Sequence, residues 1–109
     1  MELLNKKCKP LKNGDPPLTK QEEDTYVKEV PSWELETNGT HKIHKDYKFG
    51  NFKQAIQFVN RVADIAEEEG HHPDLTINYN VVKADLSTHS IGGLSENDFI
   101  MAAKMDQAY

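Results

Sequence analysis

Residues 51–70 carry the clearest hydrophobic pattern in the chain. Phe52, Ala55, Ile56, Val59, Val62, Ala63 and Ala66 recur with a helical period, and Phe58 and Ile65 widen the apolar stripe. Asn51 and Gln54 stand at N-cap and N3 spacing and Gly70 at the C-terminal stop, so the pattern predicts one long helix packed on a sheet. Upstream, Trp33, Leu35, Ile43, Tyr47 and Phe49 are all odd-numbered, which reads as a hairpin around Asn38-Gly39. A two-residue turn would put Ile43 on the wrong face. A three-residue loop, Thr37-Asn38-Gly39, pairs Leu35 with His41 and Trp33 with Ile43 and keeps one apolar face, with Trp33 and Phe49 as core residues. Downstream, Leu75, Ile77 and Tyr79 are odd and Val82, Ala84 and Leu86 even. That switch predicts a two-residue turn at Asn80-Val81 pairing Tyr79 with Val82, although valine suits a positive-φ turn poorly.

Two capping boxes mark further helices. Thr19 and Glu22 open a short one with a thin apolar face (Tyr26, Val27, Val30) that ends before Pro31. Ser95 and Asp98 open a last one, after the Gly92-Gly93 break, through Phe99, Ile100 and Ala103. Residues 1–18, with Pro10, Gly14, Pro16 and Pro17 among lysines and no apolar period, are expected to form a loosely held, flexible leader. The predicted architecture is α+β, in the order α-β-β-α-β-β-α. It has one four-stranded antiparallel sheet covered on one face by three helices, with residues 19–109 forming a single domain. Open sheet edges make strand pairing into a homo-oligomer a natural expectation.

Composition narrows the chemistry. A chain of 109 residues suits one domain. With 13 Lys+Arg against 18 Asp+Glu, its net charge of -5 argues against broad contact with nucleic acid or anionic lipid. No run approaches the length of a membrane span and no secretory h-region opens the chain, so a cytoplasmic protein is expected. The single cysteine, Cys8, excludes an internal disulfide framework and reads as an exposed, unimportant thiol in the leader.

The histidines carry the remaining signal. His41 and His44, at i and i+3 on one strand, read as ordinary strand residues on opposite faces. His71-His72-Pro73 follows a helix-ending glycine at a loop mouth, and Pro73 restricts His72 to an extended backbone. Glu67 lies four residues before His71, so a helix running that far lets the carboxylate reach the imidazole. His89, in Ser87-Thr88-His89, ends the last strand and could return to the same mouth. A plain surface loop accounts for the three histidines as well. Zinc held by them with Glu67 or Asp74 is a rival, but the spacing matches no common helical metal motif.

At these residues the sequence resembles the pterin-4a-carbinolamine dehydratase family. The pattern is Glu67, three residues, His71-His72-Pro73, five residues, Tyr79, nine residues, His89, eight residues, Asp98. Gly70-His71-His72-Pro73, Tyr79-Asn80, Leu86-Ser87-Thr88-His89 and Gly93-Leu94-Ser95 are similar too, and the resemblance runs from about residue 19 to the C-terminus. It implies an α+β fold and dehydration of a 4a-hydroxytetrahydropterin, the spent cofactor of aromatic amino-acid hydroxylases, to a quinonoid dihydropterin and water. It implies no metal and no organic cofactor, a hydroxylase as functional partner, and a homodimer or homotetramer. Carried over, His71 and His89 are the acid/base histidines, His72 positions the substrate within the catalytic set, and Glu67 orients His71. Tyr79 and Asp98 match the pattern, Tyr79 as a substrate-binding residue and Asp98 in an orienting role. Tyr79 also reads as a plain strand residue and Asp98 as a helix cap. Ser87 and Thr88 are expected to offer backbone groups to the pterin edge. Since some relatives also dimerise a transcription factor, the alternative is a non-catalytic binding module, a transcriptional or hydroxylase partner.

Overall fold

The computed structural model describes every residue, Met1–Tyr109. Its elements follow the expected order: α1 (Lys20–Val27), β1 (Glu34–Glu36), β2 (Lys42–Lys48), α2 (Phe52–Glu69), β3 (Asp74–Asn78), β4 (Val81–Leu86) and α3 (Glu96–Ala108). Short 3-10 turns lie at Leu3–Asn5 and His89–Ile91. The four strands form one antiparallel sheet in the order β1-β2-β4-β3. Ile43 and Tyr47 of β2 and Val82, Ala84 and Leu86 of β4 point into the core against Ala55, Phe58, Val62 and Ala66 of α2. Phe58, placed at the margin of the stripe by periodicity, is fully buried, whereas Phe52 is 49% exposed. No helix is long and apolar enough to cross a membrane.

Both hairpins keep the predicted parity but shift register. Leu35 pairs with Ile43, not His41, and the β1–β2 loop holds five residues, 37–41. Gly39 takes the left-handed conformation (φ 73°) as expected. His41, however, is drawn out of the ladder: its Nδ1 lies 2.8 Å from Glu23 Oε2 on α1. Trp33 is likewise outside β1, its indole N–H donating to Asp106 of α3 at 3.2 Å. In the second hairpin the two turn residues are Tyr79 and Asn80, with Ile77 opposite Val82. Valine therefore stays in β4 and Tyr79 takes the positive φ, 51°. Asn80 is held by Phe49 in both directions, accepting from Phe49 N–H at 2.8 Å and donating through Nδ2 to Phe49 O at 3.0 Å.

The expected loose leader is instead docked. Leu3 is buried, Cys8 N–H donates to Glu69 Oε1 at 2.8 Å, and Lys9 N–H donates to Asn97 Oδ1 at 2.9 Å. An extended segment anchored by single residues and main-chain hydrogen bonds has no apolar period, which is why the pattern was silent. Cys8 is consequently half-buried, and burial, with Glu69 beside it, pushes its thiol up to about 12. Such a thiol stays protonated and inert near neutral pH.

Two predictions arise from this packing. Asp106 Oδ1 receives Tyr47 O–H at 2.6 Å, Lys45 Nζ at 2.7 Å and Trp33 Nε1 at 3.2 Å. Asp106→Ala leaves donors inside the core unpaired and is expected to destabilise the fold by about 2–4 kcal/mol, read from the urea midpoint at constant m. The second concerns acid. Burial would raise the Glu69 carboxyl, but Lys104 at 2.6 Å and the Cys8 N–H overcome it and hold it low; Lys6, with Tyr26, does the same for Glu96. Each carboxyl thus binds its proton less readily folded than unfolded, so its contribution is present above the unfolded value of 4.5 and is lost as pH falls below it. Glu69→Gln should lower the melting temperature at pH 7 and flatten its decline between pH 5 and 3.

Candidate active site

The site begins where α2 stops. Gly70 takes the left-handed conformation (φ 66°), and the N–H groups of Gly70 and His71 both reach Ala66 O. The chain leaves the helix column there, and His71-His72-Pro73 runs irregularly into β3. β3 and β4 are antiparallel neighbours, with Asp74 opposite Asp85. The segment before β3 and the segment after β4 therefore meet at one end of the sheet. Beyond Leu86, Thr88 and Gly93 pair their main chains (Thr88 N–H to Gly93 O 2.8 Å), and His89 opens the 3-10 turn this closes.

One carboxylate joins these segments. Asp98, at N3 of α3 and fully buried, lies 2.6 Å from His71 Nε2 through Oδ1. Its Oδ2 accepts from the Thr88 hydroxyl at 2.8 Å and from Ser95 N–H at 3.0 Å. Thr88 also meets the Ser95 hydroxyl at 2.7 Å. The same side chain thus caps α3, orients the imidazole beside it and fixes the residue before His89. A carboxylate accepting from every partner takes the Nε2–H of His71 as well, which leaves Nδ1 free to give or take a proton. The His71 side chain is 11% exposed.

The expected partner of His71 is corrected here. Glu67 does not reach His71; its Oε2 lies 2.5 Å from His72 Nε2, in a pair that is largely solvent-exposed. The left-handed Gly70 turns His71 inward toward α3 and out of the i,i+4 column, so Glu67 meets the next histidine instead. Screened by water, that pair orients His72 but adds little stability.

His89 and Ser87 line a polar cleft of about 210 Å³ with Thr40, Lys42, Asp74 and Asp85. The Ser87 hydroxyl donates to His41 O at 2.9 Å, so the β1–β2 loop forms one wall. Tyr79 is not brought to this end of the sheet. It sits at the tip of the β3–β4 turn, 67% exposed, about 16 Å of strand away from the histidines at the usual rise per residue. No three His, Cys, Asp or Glu side chains come together in a metal-holding group.

The sequence reading missed Glu23 and His41. Glu23 is buried, one oxygen on His41 and the other, Oε1, without a partner. Its position carried a signal: Glu23, Tyr26 and Val27 fall at i, i+3 and i+4, on the helix's apolar face. His41 is thus no ordinary strand residue but the partner of a buried carboxylate.

The geometry predicts that neutral His71 is the Nε2–H tautomer. Long-range ¹H–¹⁵N correlations on labelled protein measure this; an Nδ1–H pattern would mean that Asp98 does not orient the ring.

Comparison with known proteins places the site in context. A family model described as pterin 4 alpha carbinolamine dehydratase matches residues 16–108. A protein of Methylococcus capsulatus, provisionally named pterin-4-alpha-carbinolamine dehydratase, is 44% identical over 96% of this chain and 91% of its own. One from Halorhodospira halophila with the same provisional name is 43% identical over 97% of this chain and 96% of its own. Among solved structures, a transcriptional coactivator/pterin dehydratase from Brucella melitensis superposes with a TM-score of 0.79 at 34% identity, covering 84% of this chain and 97% of that one. A pterin dehydratase-like protein described as a RuBisCO assembly factor of the alpha-carboxysome shares the fold at TM-score 0.61 and 24% identity, over 71% of this chain and 88% of that one.

Proposed function

The chain belongs to the pterin 4 alpha carbinolamine dehydratase family, and we propose that it dehydrates a 4a-hydroxytetrahydropterin by histidine acid/base catalysis. The observation that carries this reading is the Asp98 carboxylate holding both His71 and the Thr88-His89 segment. In the reaction the C4a–O bond breaks, the departing hydroxyl takes a proton and leaves as water, and N5 gives up its proton as the C4a=N5 bond forms. One acid and one base suffice. Imidazoles, with a reference pKa of about 6.5, serve in either role near neutral pH.

In this reading His71, with Nδ1 free, and His89, in the polar cleft, act as the acid/base groups, each toward one face of C4a. His72, oriented by Glu67, positions the substrate. Asp98 orients His71 without itself touching substrate, and Ser87 offers backbone groups to the pterin edge. Thr88, expected to do the same, has its N–H on Gly93 and its carbonyl on Ile91 and Gly93, because it closes the His89 turn. No metal or organic cofactor takes part. The hydroxylase that forms the 4a-hydroxy adduct is the functional partner, and the protein works as a homodimer or homotetramer. A second reading is favoured by the Brucella relative, described as both coactivator and dehydratase: this chain also acts as a binding module. That role would survive loss of the histidines.

A hydroxylase-coupled assay tests the proposal. Phenylalanine hydroxylase generates the 4a-hydroxytetrahydropterin, and absorbance follows its decay. The protein should accelerate decay, and a His71→Ala/His89→Ala double variant should lose about 10²-fold or more of that rate while keeping its circular dichroism spectrum. Decay at the uncatalysed rate with folded wild-type protein would refute the dehydratase reading.

A further inference from the structure

Within residues 1–18 the chain touches each of the three segments that build the site. Cys8 N–H donates to Glu69, two residues before His71, and Glu69 is in turn held by Lys104 at 2.6 Å. Lys9 exchanges two hydrogen bonds with Asn97, the residue next to Asp98: Lys9 N–H to Asn97 Oδ1 at 2.9 Å, and Asn97 Nδ2 to Lys9 O at 2.7 Å. Lys6 Nζ lies 2.7 Å from Glu96 at the start of α3. At its far end, Leu18 N–H donates to Leu94 O at 2.9 Å, and Pro17 packs so closely on Gly93 that an added Cβ there would come within 2.9 Å of the Pro17 Cβ. Gly93 O is the acceptor for Thr88 N–H, the rung that closes the His89 turn.

We propose that residues 6–18 are a positioning strap for the catalytic groups, with Asn97 as the positioning residue through which it sets Asp98 and hence His71. The His71–Asp98 hydrogen bond spans two element ends, the turn after α2 and the first turn of α3. Helix ends open more readily than helix middles, so packing between the two helices does not by itself hold this distance. The Asn97 amide meets both the N–H and the C=O of Lys9, as a rung of a sheet would. That pairing is directional: it fixes orientation as well as place, where an apolar contact would allow sliding. Asn97 is itself 7% exposed, so water does not readily replace its partners. The Glu69 and Gly93 anchors hold the other two segments against the same strap, so the two histidine-bearing pieces and the head of α3 share one frame. The catalytic consequence rests on the dehydratase reading; the geometric one does not.

Full-length Asn97→Ala tests this beside Thr19→Ala, which weakens the α1 cap just past the strap and removes none of the strap's anchors. Asn97→Ala should lower kcat about tenfold with KM within about twofold, the signature of a misplaced acid/base group and not of lost binding. Thr19→Ala should change neither. Independently of activity, the low-field ring N–H proton of His71 should shift and exchange faster in Asn97→Ala but not in Thr19→Ala. If Asn97→Ala does not fold, Asn97→Asp, which keeps the acceptor for Lys9 N–H and loses the Nδ2 donor, should move the signal in the same direction by less. An unchanged His71 signal in the folded variant, or an equal loss in Thr19→Ala, overturns the strap. Should wild type show no dehydration, the proposed function falls and the ring-proton comparison alone decides the strap.

Discussion

A carboxylate at zero exposure, Asp98, is the constraint around which the rest of this molecule is arranged. Taking an ionised carboxyl out of water costs several kcal/mol unless its oxygens are met by donors of good geometry. Here they come from three places: the imidazole after α2, the hydroxyl after β4 and the main chain at the head of α3. Satisfying one side chain therefore brings together the ends of three separate elements. The candidate site is where they meet.

Charge inside this small core recurs with the same logic. Glu23 on α1 is buried against His41, and one Asp106 oxygen on α3 gathers Tyr47, Lys45 and Trp33. Each carboxylate sits on a helix and takes a donor from a strand or loop, so each pins the helical layer to the sheet at one place. Hydrophobic burial around Tyr47, Phe58 and Phe99 holds the layers together without regard to direction. The polar contacts supply the direction. The segment Ser87-Thr88-His89 lies between two of them, its serine bonded to the carbonyl of His41 and its threonine to Asp98.

The sequence was most legible where a residue's role depends on its near neighbours. The α2 period, the Asn51 cap, the Gly70 stop and the Thr19–Glu22 box are local, and each appears in the structure. Parity in both hairpins was legible because side chains alternate along a strand whatever lies across from them. The motif of Glu67, His71, His72, His89 and Asp98 was legible as a pattern of spacing and pointed to the family that the comparisons show.

Tertiary structure decided what spacing leaves open. It moved His41 out of the first ladder to meet Glu23, and it gave the second turn to Tyr79, placing that residue at the far end of the sheet. It paired Glu67 with His72 and His71 with Asp98, 27 positions away, and it turned a leader without pattern into a docked strap. The physical reason is common to all of these. Local sequence sets which conformations a segment prefers, but a buried charge or an unpaired main-chain group is satisfied by whatever donor the fold brings near, and that donor has no signature in the sequence around it.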